Sequence, residues 1–118
     1  MAKTVLIVED SELNMKLFND LLEANGYQVI QTRDGLSALD LARKHRPDLI
    51  LMDIQLPGMS GLEARKILSE NPKTAGIKLI FVTASVTTKE KEIILATGSP
   101  MIEKPINTRT FAEEIRKF

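Results

Sequence analysis

Apolar and polar positions along this chain form two kinds of block. One kind is a short, continuous apolar run rich in β-branched residues, which is typical of a strand buried on both faces. Such runs predict five strands, at residues 4–8, 27–32, 48–53, 78–83 and 101–103. The last of these gives the weakest signal because it is only three residues long.

Between the runs, apolar residues recur at helical spacing. Helices are predicted from about Ser11 to Asn25, from Asp34 to just before Pro47, from about Ser60 to Glu70, from Thr87 or Thr88 to about Ala96, and from about Thr108 to Phe118. The residues expected to face the core are Leu13, Leu17, Phe18, Leu21 and Leu22 in the first helix, Leu36, Leu39 and Ala42 in the second, Leu62, Ile67 and Leu68 in the third, and Phe111, Ile115 and Phe118 in the last. The fourth helix carries Ile93, Ile94 and Leu95 in succession, so at least one of them is expected to be exposed.

Strands that alternate with helices in this way indicate an α/β fold with a parallel sheet covered on both faces. Right-handed crossovers restrict five such units to a doubly wound sheet, because a closed barrel needs eight. With 118 residues, no repeat and no linker, the chain is predicted to form one domain, residues 1–118, without an output domain. In a doubly wound sheet, ligands bind beyond the carboxyl ends of the strands.

Composition narrows the classes of function. Sixteen basic and sixteen acidic residues give a formal net charge of zero, which argues against nucleic-acid binding. Cysteine is absent, so a reducing compartment is compatible with the chain. No apolar run approaches the roughly 20 residues of a membrane span, and no signal-peptide pattern precedes the first strand. A cytoplasmic protein that does not bind membranes is therefore expected.

The candidate functional residues all stand at predicted carboxyl ends. Glu9 and Asp10 follow the first strand, Asp53 ends the third, Thr83 ends the fourth and Lys104 follows the fifth. Close carboxylates need a counter-charge to stay ionised, and Mg²⁺ suits such a site because it takes one or two carboxylates and keeps several waters. An aspartate beside a metal ion, a lysine and a hydroxyl is equipped to accept a phosphoryl group.

Taken singly, each of these residues has a structural explanation. Asp10 and Asp34 could cap helices, and for Asp34 capping is the favoured interpretation. Thr83 could be an ordinary strand residue and Lys104 a solvated lysine beside a turn. The joint placement at strand ends favours a functional site. His45 is the single histidine, near a helix end, and is not expected to bind metal or carry phosphate.

With these residues in place, the chain resembles a response-regulator receiver domain. The resemblance rests on residues 5–10 (VLIVED), residues 51–61 (LMDIQLPGMSG), Val82-Thr83-Ala84 and Lys104-Pro105. It implies a flavodoxin-like (βα)5 fold with strand order 2-1-3-4-5, an order that is itself taken from the family. Further stretches at residues 12–18, 31–33 and 47–53 are similar to DivK-type single-domain receivers, which act in alphaproteobacterial cell-cycle signalling.

The resemblance also implies roles. Asp53 would accept a phosphoryl group from a phosphohistidine on a histidine kinase or histidine phosphotransfer protein, and the product would switch contacts with a downstream protein effector. Mg²⁺ would be held by Asp10, Asp53 and the backbone carbonyl of Gln55, with Glu9 acting through metal-bound water. The domain would catalyse its own phosphorylation and dephosphorylation without being an enzyme for external substrates.

In the same family, Thr83 and Lys104 would bind the phosphoryl oxygens, and Lys104-Pro105 would be a cis peptide. Thr83 and the loop after it would move toward the phosphoryl group and shift the fourth helix. One departure concerns Met101, which stands where receivers usually place a switch aromatic. Met101 could pack in its place, because methionine fills irregular gaps, or this face could serve a different partner.

Two other classes of protein share parts of this pattern. A phosphatase or phosphotransferase working through an aspartyl phosphate would use the same aspartate, but no cap segment for an external substrate is visible. A flavin- or nucleotide-binding protein of this architecture would need a glycine-rich turn after the first strand. That turn is Glu9-Asp10-Ser11-Glu12, which is acidic and would repel phosphate.

Overall fold

The computed structural model describes residues 3–83, 87–104 and 106–117, and these form alternating strands and helices. The strands are β1 (Thr4–Val8), β2 (Gln28–Thr32), β3 (Leu49–Asp53), β4 (Lys78–Thr83) and β5 (Met101–Glu103). The helices are α1 (Glu12–Ala24), α2 (Gly35–His45), α3 (Gly61–Glu70), α4 (Thr88–Ala96) and α5 (Phe111–Arg116). The predicted order of elements is confirmed.

All strand pairs are parallel, and the sheet order is β2-β1-β3-β4-β5. This confirms the doubly wound α/β fold and the strand order expected from the resemblance. The register places Val8 beside Met52, Asp53 beside Val82 and Thr83 beside Glu103. The carboxyl ends of β1, β3, β4 and β5 are therefore neighbours at one edge of the sheet.

Each face of the sheet has its own hydrophobic core, which explains why the central strands are apolar at every position between their two ends. Odd-numbered residues of β1, such as Val5 and Ile7, face α1 and α5, where the rings of Phe18 and Phe111 stack with centroids 5.6 Å apart. Even-numbered residues such as Leu6 face the opposite core, which contains buried residues of α2, α3 and α4.

Some helix faces were predicted wrongly. Leu13 is 79% exposed, whereas Met15, Phe18 and Leu22 are the buried residues of α1. A step of four residues overshoots a full helical turn by about 40°, so the row through Leu13, Leu17 and Leu21 winds away from the core at its N-terminal end.

In α2 and α3, small residues take the core positions in place of the predicted large ones. Leu36 and Ile67 are 66% and 43% exposed, while Ala38, Ala42 and Ala64 are buried. Small side chains let these helices pack closely on the sheet. In α4, the predicted exposure is confirmed at Ile93 and Leu95.

The helix boundaries follow local capping chemistry. Asp34 caps α2 as predicted, since its carboxylate accepts a hydrogen bond from the Ser37 N–H at 2.7 Å. The prediction that α5 begins at Thr108 was wrong, because the Asn107 side chain accepts from the Arg109 N–H and holds a local turn instead. None of the helices in the described ranges is both long enough and apolar enough to cross a membrane.

Candidate functional site

Lys104 joins two carboxylates at the carboxyl edge of the sheet. Its Nζ lies 3.0 Å from Oδ2 of Asp53 and 2.8 Å from Oε1 of Glu9. Glu9 directly follows β1, Asp53 is the last residue of β3, and Lys104 directly follows β5. Three of the five predicted residues, which are 44 or more positions apart in the sequence, are thus brought into direct contact.

These side chains are largely withdrawn from solvent. Glu9 is 1% exposed and Asp53 is 7% exposed, and the Lys104 side chain is 14% exposed. Burial raises the pKa of the Glu9 carboxyl, and the neighbouring Asp53 carboxylate raises it further, while Lys104 and the Ser11 N–H oppose the rise. Burial also acts to lower the pKa of Lys104, but Glu9 and Asp53 outweigh it and raise that pKa above its ordinary value. Lys104 is therefore charged at neutral pH.

The carboxylate of Asp53 is held at both oxygens. Oδ2 accepts a hydrogen bond from Lys104, and Oδ1 accepts one from the backbone N–H of Gln55 at 3.0 Å. This bond fixes the start of the loop between β3 and α3 relative to the carboxylate, so the Gln55 backbone is tied to the same site.

Gly61 permits the close approach of α3 to the end of β3. A Cβ on Gly61 would lie 2.3 Å from the carbonyl oxygen of Asp53 and 2.9 Å from Cα of Ile54. The Gly61 N–H donates to the carbonyl of Ile54 at 2.8 Å, which closes the loop. From the sequence, Gly61 was included only as the end of the motif at residues 51–61 and was assigned no role. The available signal was a glycine at the first position of a helix capped by Ser60, where glycine weakens the helix and needs a reason.

Thr83 and Asp10 occupy different parts of this edge. Thr83 is 1% exposed, and its carbonyl accepts a hydrogen bond from the Lys104 N–H at 2.7 Å. Asp10 is exposed, and its backbone carbonyl accepts a hydrogen bond from the Arg33 guanidinium at 2.9 Å. The predicted cis peptide at Pro105 and the loop after Thr83 lie outside the described residues.

The segment that departs from the receiver pattern is tied to its surroundings. Met101 is half-buried and packs against the core that contains α2, α3 and α4. Arg65 of α3 donates to Oγ of Ser99 at 2.9 Å and also to the carbonyl of Thr97. The chain between α4 and β5 is therefore fastened to α3, the helix that begins beside Asp53.

The site has the chemistry that Mg²⁺ requires. Two buried carboxylates face one ammonium group, which leaves a net negative charge. Oε1 of Glu9 is in ion-pair contact with Lys104, yet this buried oxygen has no hydrogen-bond partner among the described residues. No cluster of three or more acidic, histidine or cysteine side chains is arranged to hold a metal within the described ranges. Mg²⁺ needs only one or two carboxylates in addition to carbonyls and waters, so the buried carboxylates of Glu9 and Asp53 fit it.

The raised pKa of Glu9 leads to a pH prediction. In Mg²⁺-free buffer, we expect wild type to lose stability relative to Glu9→Gln as the pH rises from the unfolded-state pKa through the folded-state pKa. In that window the folded protein binds more protons than the unfolded chain, so the free energy of unfolding falls with pH, by at most about 1.4 kcal/mol per pH unit for one group. Urea unfolding of both proteins across this window measures the difference. A difference that does not vary with pH would contradict the prediction.

The chain is similar to known proteins over nearly its whole length. The sequence pattern of the response regulator receiver domain matches residues 5–116. A polar-differentiation response regulator DivK from Brucella anthropi is 55% identical over 119 aligned residues, covering 100% of this chain and 97% of that protein.

Solved structures are also similar. A chemotaxis response regulator of Vibrio cholerae superposes with a TM-score of 0.91 at 27% identity, covering 99% of this chain and 98% of that one. The receiver domain of a sensor histidine kinase from Pseudomonas aeruginosa superposes with a TM-score of 0.90 at 26% identity, covering 99% and 97%. That structure is described with a magnesium ion coordinated in its active-site cleft.

Proposed function

Because the chain belongs to the response regulator receiver domain family, we propose that Asp53 accepts a phosphoryl group from a phosphohistidine on a histidine kinase or histidine phosphotransfer protein. The observation that carries this proposal is the Lys104 ammonium held against both Asp53 and Glu9 at the carboxyl edge of the sheet. The phosphorylated protein then changes its contacts with a downstream protein effector.

The chemistry follows from the atoms around Asp53. A carboxylate oxygen of Asp53 attacks phosphorus, the P–N bond to the donor imidazole breaks, and the imidazole leaves as it takes up a proton. Lys104 is charged and lies within 3.0 Å of Oδ2, so it neutralises charge on the transferring oxygens. A bound Mg²⁺ would supply further charge neutralisation there, held by Glu9 through water, Asp10, Asp53 and the Gln55 carbonyl.

In this proposal the switch runs through Thr83 and the segment before Lys104. Phosphorylation places roughly −1.5 to −2 charges at Asp53, and the Thr83 hydroxyl moves toward them. Met101 packs where other receivers usually carry an aromatic residue, so it takes the place of that residue in transmitting the change. Arg65 connects the same segment to α3.

The proposed biological setting is cytoplasmic phosphorelay signalling in the control of cell polarity and the cell cycle. The support is the 55% identity, over essentially full length, to a regulator named for polar differentiation. Zero formal net charge supports protein partners over nucleic acid. The match to receivers over residues 5–116 favours a switch over a phosphatase for external substrates.

The test is Mg²⁺-dependent acylation of Asp53. Wild type incubated with Mg²⁺ and a small phosphodonor is expected to gain one phosphoryl group by intact-protein mass spectrometry, and to bind a beryllofluoride mimic. Asp53→Asn should gain neither. Asp48→Asn changes the carboxylate at the opposite end of β3 and should behave as wild type. If wild type gains no Mg²⁺-dependent acyl phosphate or bound mimic, the proposal is wrong.

A further inference from the structure

Hydrogen bonds hold the acidic loop after β1 on both sides of Asp10. The Glu9 N–H donates to the carbonyl of Thr32 at 3.1 Å, which extends the contact of β1 with β2. The Ser11 N–H donates to Oε2 of Glu9 at 3.1 Å, and Ser11 caps α1 through the Asn14 N–H. Asp10 lies between these two attachments and is exposed.

Arg33 reaches this loop from the residue after β2. Its guanidinium donates to the carbonyl of Asp10 at 2.9 Å and to Oε1 of Glu12 at 3.3 Å. Val8 and Thr32 are the last paired residues of β1 and β2. The Arg33 side chain therefore extends the contact between the two segments beyond the paired strands. The guanidinium is a rigid fork with several donors, so it reaches both acceptors at once.

The ion pair within this contact contributes little to stability. The side chains of Arg33 and Glu12 are 58% and 84% exposed, and exposed pairs typically contribute less than about 1 kcal/mol. The hydrogen bond from Arg33 to the Asp10 carbonyl has a different effect, because it holds the main chain to which the Asp10 carboxylate is attached. Removing a hydrogen bond that orients a metal-binding residue typically weakens metal binding by about tenfold or more.

We infer that Arg33 is a positioning residue for Mg²⁺: it holds the backbone of Asp10 so that the carboxylate is presented to the ion. This inference rests on the proposed function, in which Asp10 is a metal ligand. In this proposal Arg33 acts through the main chain of Asp10 and is not itself a ligand of the ion.

Simple electrostatics predicts the opposite effect of removing Arg33. A cation near a metal site repels Mg²⁺, so Arg33→Ala would tighten binding if charge alone mattered. If Arg33 positions Asp10, the same substitution weakens binding. The direction of the change therefore separates the two mechanisms.

The experiment is calorimetric titration of the phosphate-free full chain with MgCl₂. We expect Arg33→Ala to bind Mg²⁺ about tenfold more weakly than wild type. The weakening should persist in about 0.5 M KCl, where the Debye length is about 4 Å and charge effects are screened. Two controls accompany it: Glu12→Gln keeps the bond to the Asp10 carbonyl, and Arg43→Ala removes an exposed arginine that pairs with Asp40 on α2. Both should bind Mg²⁺ within twofold of wild type in high salt.

The inference is overturned if Arg33→Ala binds Mg²⁺ as tightly as wild type or more tightly. It is also overturned if Glu12→Gln loses as much Mg²⁺ affinity as Arg33→Ala. Urea unfolding of each variant checks that the fold is intact, and Arg33 is exposed enough that we expect unfolding midpoints near that of wild type. Failure of the proposed function is a different result, in which wild type itself binds no Mg²⁺ or gains no acyl phosphate.

Discussion

Gly61→Ala is expected to destabilise the protein by about 3 kcal/mol, the upper end of what overpacking usually does. The added Cβ would lie 2.3 Å from the Asp53 carbonyl oxygen and 2.9 Å from Cα of Ile54. Both atoms belong to the main chain, so no side-chain rotation relieves the contact. Either α3 or the end of β3 must shift, and the hydrogen bond from Gly61 to Ile54 is strained in both cases.

The same shift should reduce phosphorylation, because it displaces the main chain that carries Asp53. Urea unfolding measures the loss of stability, and acyl-phosphate formation under conditions where the variant is folded measures the loss of chemistry. Gly76→Ala is the matched control, since a Cβ there meets nothing within 4 Å and the residue has no positive φ. That control is expected to be neutral or stabilising by up to about 1 kcal/mol. Equal effects of the two substitutions would contradict the steric explanation.

Lys104→Ala is expected to lower the free energy of unfolding by about 3 kcal/mol in the absence of Mg²⁺. Removing one partner of a buried ion pair leaves uncompensated charge, here the carboxylates of Glu9 and Asp53. We expect a loss of stability at the low end of the range that is usual for a broken buried ion pair. The reason is that the pKa of Glu9 is already raised, so its carboxyl can take up a proton. Adding Mg²⁺ should recover part of the loss, since a cation that binds the folded state stabilises it.

The matched control for this prediction is Lys91→Ala. Lys91 forms an ion pair with Glu103 at 2.9 Å, but the two side chains are 44% and 47% exposed, so its removal should change stability by less than about 1 kcal/mol. Lys104→Ala should still permit some phosphorylation of Asp53 but uncouple it from the conformational change. Phosphorylation-induced NMR shifts identical to those of wild type would contradict this role of Lys104.

The order of strands and helices was predictable because a strand that is buried on both faces consists of consecutive apolar residues. β1 and β3 are covered on both faces, so residues 5–8 and 49–52 are apolar throughout, and the first polar residue after each run marks the carboxyl end of the strand. Parallel strands have their carboxyl ends at one edge, and this is why Glu9, Asp53 and Lys104 could be expected to meet. The sheet order was a different matter, since apolar runs do not specify which strands are adjacent, and it came from the family resemblance.

What could not be predicted depends on distances between segments. The need for Gly61 arises from the approach of α3 to β3, which no local pattern records. Arg33 resembles any exposed arginine until β1 and β2 are paired and its reach to Asp10 becomes measurable. Leu13 and Leu36 were assigned to the core because apolar spacing alone does not say which side of a helix meets the sheet.

The short length of β5 has a consequence for the persistence of a signal. Lys104 follows a strand of only three residues at the edge of the sheet, and its amide is attached there through the Thr83 carbonyl. Edge segments with few hydrogen bonds open locally long before the whole protein unfolds. Each opening would withdraw the ammonium group from a phosphorylated Asp53 and admit water. The lifetime of the acyl phosphate would then be governed by the opening equilibrium of β5, which hydrogen exchange at the Lys104 amide would measure.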